Sequence, residues 1–127
     1  MRNLLDIRRL LDELDQHPAN DLEGQDLDFK EWSRRGMGEA VAAVVEMAIC
    51  MANGGGGTVV FGVEDTAVGR VKAILGVPVE VDVNRLAKAV YDSTDPKLTP
   101  VFEDLRVPEG TGRLLVMHVF SGLPPYT

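Results

Sequence analysis

A chain of 127 residues with 45% hydrophobic and 26% charged residues is typical of one globular domain that builds its own core. Its net charge of −7 disfavours a uniformly basic, phosphate-gripping surface, and it suits an acidic metal site or a protein partner equally well. The single cysteine, Cys50, excludes an internal disulfide framework and lies in an apolar run, so we predict it to be a small core residue. The longest apolar run is too short to cross a membrane and the N-terminus has no signal-peptide pattern. We therefore expect a cytoplasmic protein without membrane contacts.

The N-terminal residues predict an amphipathic helix over residues 3–16. Leucine and isoleucine side chains recur there at helical spacing, and most charged side chains lie off that stripe. The apolar face is expected to lie either on the domain itself or on a partner. Homo-oligomerisation through this helix is therefore one of the open alternatives.

A short half-buried strand is predicted over residues 26–30. Leu27 and Phe29 alternate with Asp28 and Lys30, which places the two charged side chains on one face of the strand. The simplest alternative is a solvent-exposed face that carries an ordinary ion pair.

A buried, almost uniformly apolar helix is predicted over residues 38–52, after a loop that carries Arg34 and Arg35. Gly54–Gly57 end this helix and lead into an apolar strand over residues 58–63. A phosphate-binding P-loop has the opposite order, with a strand before the glycines and a helix and lysine after them. The four glycines therefore predict a tight turn rather than a nucleotide site.

The second half of the chain completes the predicted sheet. A strand over residues 70–77 is expected to form a hairpin with the strand over 58–63, and Asp82 is expected to cap a helix that ends near residue 94. Two further strands are predicted over 100–108 and 112–120, the last of them central because it is apolar on both faces. The order α-β-α-β-β-α-β-β predicts an α+β fold with a mixed sheet of about five strands covered by helices.

Three carboxylates form a candidate metal site. Glu23, Asp28 and Asp65 lie on or beside strands, and they come together if the two strands are neighbours. Carboxylate oxygens are the ligands that Mg²⁺ and Mn²⁺ prefer, and Lys30 shares the face of Asp28, where it could contact a phosphate. The competing interpretation is chance, because 20 acidic residues offer many accidental triplets.

Three separate motifs resemble those of the Schlafen-type AlbA-like DNA-binding domains. They are D-L-E-G-Q-D-L-D-F-K at residues 21–30, A-N-G-G-G-G-T-V-V-F-G-V-E-D at 52–65 and G-L-P-P-Y at 122–126. The resemblance extends from Glu23 to Tyr126, almost the whole chain. Two departures stand out: Asp28 replaces the usual glutamate of E-x4-E-F-K, and the glycine run has one extra member.

The resemblance implies a function in nucleic-acid binding. Bacterial domains of this type are usually described as parts of transcriptional regulators, and vertebrate Schlafens use a core of this type as a metal-dependent ribonuclease with three acidic residues. By motif position those acids correspond to Glu23, Asp28 and Asp65. Relatives commonly continue past P-P-Y with further modules, so residues 1–127 are expected to be one domain, the N-terminal part of a longer protein.

Three functional hypotheses follow. The first, which we rank highest, is a nucleic-acid-binding domain of a transcriptional regulator that contacts DNA or RNA through basic side chains: Lys30, Arg34, Arg35, Arg70 and Lys72. The second is a Mg²⁺- or Mn²⁺-dependent endonuclease with the three carboxylates as ligands and Lys30 at the phosphate. The third is an oligomerising interaction module.

Overall fold

A mixed four-stranded sheet is the centre of the fold in a computed structural model, which describes residues 2–127. In chain order its strands are β1 (Leu27–Lys30), β2 (Gly57–Phe61), β3 (Val101–Arg106) and β4 (Arg113–Val119). Their order across the sheet is β1-β2-β4-β3, with β1 and β2 parallel and the other two pairs antiparallel. The predicted α+β class, mixed sheet and central last strand are confirmed, although the described residues contain four strands rather than about five.

Helices cover both faces of this sheet, three of them at the predicted places. Within residues 2–127 they are α1 (Leu4–Asp12), α2 (Met37–Asn53), the single turn α3 (Arg70–Ala73) and α4 (Val83–Ser93). Asn3 caps α1 in a capping box with Asp6, whose backbone N–H lies 2.8 Å from the Asn3 amide oxygen. Asp82 caps α4 as predicted by accepting the Asn84 N–H at 2.9 Å.

The two faces of the sheet carry two separate cores. Helices α2 and α4 cover one face, where Val59 and Phe61 point from β2. Helix α1 covers the opposite face, where its Ile7 and Leu11 pack with Phe29 of β1. The apolar face of α1 is thus covered within the chain. Oligomerisation through this helix stays a prediction, and the buried apolar face does not support it.

The prediction of a strand over residues 70–77 is wrong. Arg70–Ala73 forms one helical turn after Gly69, and only an isolated bridge between Val63 and Ile74 remains of the expected hairpin. Val71, within this turn, is 81% exposed. The helical turn is stabilised by distant acidic groups, described below, which the local hydrophobic pattern cannot reveal.

The prediction that Cys50 is a core residue is also wrong, because its side chain is exposed. Helix α2 is apolar nearly all round, so composition does not indicate which of its faces is buried. The inward face is marked by small and apolar residues four apart: Ala40, Val44 and Ala48. Cys50 follows on the outward side.

The packing of α1 predicts that Leu11→Ala lowers the free energy of unfolding by about 2–5 kcal/mol, because it opens a cavity at a side chain that is 1% exposed. The matched control is Leu5→Ala on the same helix, where the side chain is 56% exposed and a change within about 0.5 kcal/mol is expected. Urea unfolding of both variants measures the difference. Equal losses in the two variants would contradict the placement of α1 on the sheet.

Candidate nucleic-acid interface

Parallel pairing of β1 with β2 positions the candidate side chains. The Thr58 N–H donates to the Asp26 carbonyl at 2.9 Å, and the Gly62 N–H donates to the Lys30 carbonyl at 2.7 Å. Lys30 lies opposite Phe61 in the register, so the end of β1 meets the end of β2. Asp65 follows β2 by four residues and therefore lies near the exit of both strands, as the sequence predicts.

Glu23 occupies the free edge of β1. Its Oε2 accepts the backbone N–H of Phe29 at 2.8 Å, which is the hydrogen bond that a further strand would otherwise supply. The adjoining turn closes on itself, since Gly24 and Leu27 form an isolated antiparallel bridge. The hydrogen bond and the turn thereby fix Glu23 beside Asp28, which lies five residues later in the sequence.

Glu23 interacts with both of the other predicted carboxylates. Burial, a hydrogen bond with Asp28 and the negative charges of Asp28 and Asp65 together raise the pKa of Glu23 to about 7, against the lowering effect of the Phe29 N–H. Carboxylates held close together repel each other when both are charged, and this repulsion favours the protonated form of one of the two groups. The structure therefore brings Glu23, Asp28 and Asp65 into one electrostatic neighbourhood.

These carboxylates do not fit a metal ion as they are placed. Within residues 2–127, no group of three or more His, Cys, Asp or Glu side chains is arranged to hold one. The oxygens are hard donors of the kind that Mg²⁺ takes, but Glu23 is committed to the Phe29 N–H and to Asp28. The metal assignment consequently stays a prediction.

Three of the five predicted basic contacts lie together in a groove of about 560 Å³ beside the end of β1. Lys30, Arg34 and Arg35 line this groove with Asp65 and Glu31, and we call it the basic groove. All three cationic residues are exposed. The Ser33 Oγ accepts the Arg35 N–H at 3.3 Å, which helps to hold the loop in its turn.

Arg70 and Lys72 lie on α3, outside the residues that line the basic groove. The Arg70 guanidinium donates two hydrogen bonds to Glu109, at 2.7 and 3.1 Å, and a third to Asp12 at 3.1 Å. Its backbone N–H donates to Asp15 at 2.9 Å. The Glu109 carboxylate raises the pKa of Arg70, and the Arg70 guanidinium in turn lowers the pKa of Glu109. Arg70 therefore joins α3 to the N-terminal segment and to the β3–β4 turn, whereas Lys72 is exposed.

Two of the sequence motifs are joined by a pair of hydrogen bonds that sequence reasoning did not foresee. The Asn53 side chain donates to the Tyr126 carbonyl at 3.0 Å and accepts the Tyr126 N–H at 2.7 Å. The Tyr126 hydroxyl accepts the Gly122 N–H at 2.7 Å, and its ring is buried in the α2 core. The late P-P-Y motif is thus structural, since it ties the last residues to the end of α2.

The family model described as Schlafen, AlbA_2 matches residues 23–126. No curated protein sequence matches the chain. Among solved structures, the DIP2311 protein from Corynebacterium diphtheriae superposes with a TM-score of 0.72 at 23% identity, over 97% of this chain and 23% of that one. The N-terminal domain of a RecG-related protein from Nitrosomonas europaea superposes with a TM-score of 0.55 at 25% identity, over 95% of this chain and 74% of that one.

The fold and the motifs define an AlbA-like α+β domain of the type that is often nucleic-acid-binding. The chain belongs to the Schlafen AlbA_2 family. It spans about a quarter of the length of the Corynebacterium protein. Residues 3–21, which include α1, precede the matched range although they complete one of the two cores.

A separate finding concerns membranes. Across residues 2–127 every helix is too short or too polar to cross a bilayer.

The raised pKa of Glu23 predicts that stability falls as pH rises from 4.5 through about 7. A group whose pKa is higher in the folded state binds its proton more tightly there, so its contribution is complete below its ordinary pKa and is lost above the folded value. The predicted loss is about 1 kcal/mol after allowance for solvent screening. Glu23→Gln should remove this part of the pH dependence in urea unfolding, whereas Glu39→Gln, an exposed control, should leave it. Identical pH profiles for wild type and Glu23→Gln would contradict the coupling.

Proposed function

We propose that this chain is a nucleic-acid-binding domain that contacts phosphates through the basic groove. The observation that carries the proposal is the gathering of Lys30, Arg34 and Arg35 in one groove of a chain whose net charge is −7. Segregated positive charge steers a polyanion to one place while the remaining surface repels it. The family and the sequence motifs support the same assignment, and they favour a place in a transcriptional regulator.

The start of α2 adds to the attraction for phosphate. Gly36 precedes the helix without a side chain, and in the described part of the chain no side chain caps the first turn of this 17-residue helix. Its first N–H groups and the positive end of its dipole therefore remain beside the loop that carries Arg34 and Arg35. Backbone N–H groups and guanidinium groups of this kind hold phosphate in register without reading sequence.

The acidic residues of the groove do not prevent phosphate binding. Glu31 pairs with Arg34 at 3.5 Å, but the Arg34 side chain is 77% exposed. An exposed pair of this kind is worth less than about 1 kcal/mol, so a phosphate can replace the carboxylate at small cost. Asp65 also lines the groove, and its negative charge limits how closely phosphates approach the acidic pair of Glu23 and Asp28.

Neutralising the groove should weaken binding and flatten its salt dependence. For Arg34→Gln with Arg35→Gln, we expect the slope of log affinity against log salt to fall by about 1.5, because two phosphate contacts are lost. The control is Arg85→Gln with Lys88→Gln, an equal charge change at exposed positions of α4 outside the groove. Fluorescence anisotropy of a labelled oligonucleotide between about 50 and 200 mM salt measures both slopes. Binding without salt dependence, or equal slopes in the two double variants, would contradict the assignment.

A metal-dependent endonuclease is the second candidate, and the interaction of Glu23 with both Asp28 and Asp65 is the observation that favours it. Lys30 lies two residues after Asp28, on the same face of β1 and in the groove proposed for phosphate. Binding of Mg²⁺ or Mn²⁺ by this set requires the hydrogen bond between Glu23 and Asp28 to open, because a proton and an ion compete for the same oxygens. This candidate therefore depends on a rearrangement.

The nuclease candidate predicts cleavage of an oligonucleotide in Mn²⁺ that Asp65→Asn abolishes while circular dichroism stays unchanged. Asp92→Asn, on the exposed face of α4, serves as the control and should cleave like the wild type. Gel analysis of a labelled RNA and a labelled DNA gives the measurement. Cleavage that persists in Asp65→Asn or in excess chelator would reject this candidate and leave the binding proposal intact.

A further inference from the structure

A second cavity adjoins the basic groove on the other side of residues 31–34. It has a volume of about 500 Å³, within the range of roughly 300–1,000 Å³ that is common for small-molecule sites. Trp32, Met37, Leu75 and Pro78 contribute apolar surface to its wall, which also includes Glu80. Residues 31–34 line both this cavity and the basic groove. A largely apolar cavity and a cationic groove therefore share one wall, which includes Arg34.

The walls of this cavity are held in place by the fold. Trp32 is 8% exposed and packs edge-to-face on Phe61, with ring centroids 6.2 Å apart and an interplanar angle of 85°. The Thr111 Oγ1 donates to the Val77 carbonyl at 2.7 Å, and the Arg113 guanidinium donates to the Pro78 carbonyl at 3.1 Å. A wall fixed in this way is preorganised, so a ligand does not have to order it on binding.

From this arrangement we infer that the partner is single-stranded nucleic acid, one of whose bases enters the apolar cavity while its phosphates lie in the basic groove. The inference rests on the proposed function, because it takes the groove as the phosphate site. Within one nucleotide only a sugar separates base from phosphate, so a phosphate at Arg34 brings its base to the cavity mouth. A base in a duplex is stacked and paired, so moving it into the cavity costs free energy. An unpaired base enters the cavity without the cost of breaking a base pair.

The test compares three ligands of one mixed sequence at equal salt: a labelled single strand, its duplex, and the same strand with abasic sites. The abasic strand keeps its phosphates and lacks the base, so it isolates the contribution of the cavity. We expect the intact strand to bind about tenfold more tightly than either competitor, with the salt slope unchanged between the two single strands. Equal affinity for all three ligands, or tighter binding of the duplex, would overturn the inference.

Trp32 gives a second readout because it is the only tryptophan of the chain and lines the proposed base cavity. A base that enters the cavity should quench its fluorescence, with a midpoint that coincides with the anisotropy titration. Because Trp32 also lines the basic groove, the abasic strand gives the baseline change in emission, and the intact strand should quench more strongly than that baseline. Equal quenching by intact and abasic strands would place the base elsewhere.

The outcomes separate the two claims. Salt-dependent binding that is equal for duplex, intact strand and abasic strand retains the proposed function and rejects the base cavity. Absence of salt-dependent binding for all ligands rejects the proposed function and the inference together. The double variant Lys30→Gln with Arg35→Gln should weaken the intact and abasic strands by the same factor, because both residues line the groove and neither lines the cavity.

Discussion

The close approach of β2 to β1 depends on a residue that has no room for a side chain. A Cβ on Gly57 would lie 2.5 Å from the Asp26 carbonyl oxygen and 2.7 Å from the Met51 sulfur. Neither atom can yield easily, because the carbonyl accepts the Thr58 N–H of the parallel pair and Met51 belongs to the buried end of α2. The same corner is tight on its other side, where a Cβ on Gly56 would lie 2.8 Å from the Val119 carbonyl. The end of α2, the glycine turn and the pairings of β2 with β1 and with β4 are thus fixed at one point.

The location of the candidate site follows from this corner. Parallel pairing carries Lys30 to the end of β2 and brings Asp65 to the same groove. On the opposite edge of β1, Glu23 satisfies the Phe29 N–H and meets Asp28, so an acidic pair and a basic groove adjoin the same short strand. Such an arrangement suits the proposed binding of a polyanion beside Glu23, whose pKa is raised, and it shows how an acidic chain can gather positive charge in one groove.

The strands and helices that the sequence predicts correctly are those whose pattern is local. The alternation of Leu27 and Phe29 marked β1, and Asp82 marked the start of α4. Prediction failed where distant groups decide the outcome. The segment from Arg70 looks like a strand, but ion pairs with Asp12 and Glu109 hold it as a helical turn. The same contacts occupy the Arg70 guanidinium, so its role in nucleic-acid binding stays a prediction, whereas Lys30, Arg34 and Arg35 line one groove beside the end of β1.

The most direct test of the central claim is a map of backbone amide chemical shifts during titration with a single-stranded oligonucleotide. The account predicts that the largest changes fall at residues 30–36 and at Asp65, on both sides of the point where β1 and β2 end together. Amides of α4 and β3, which lie away from the groove, should remain within the noise. Changes centred on α4 or β3, with residues 30–36 unaffected, would contradict the account.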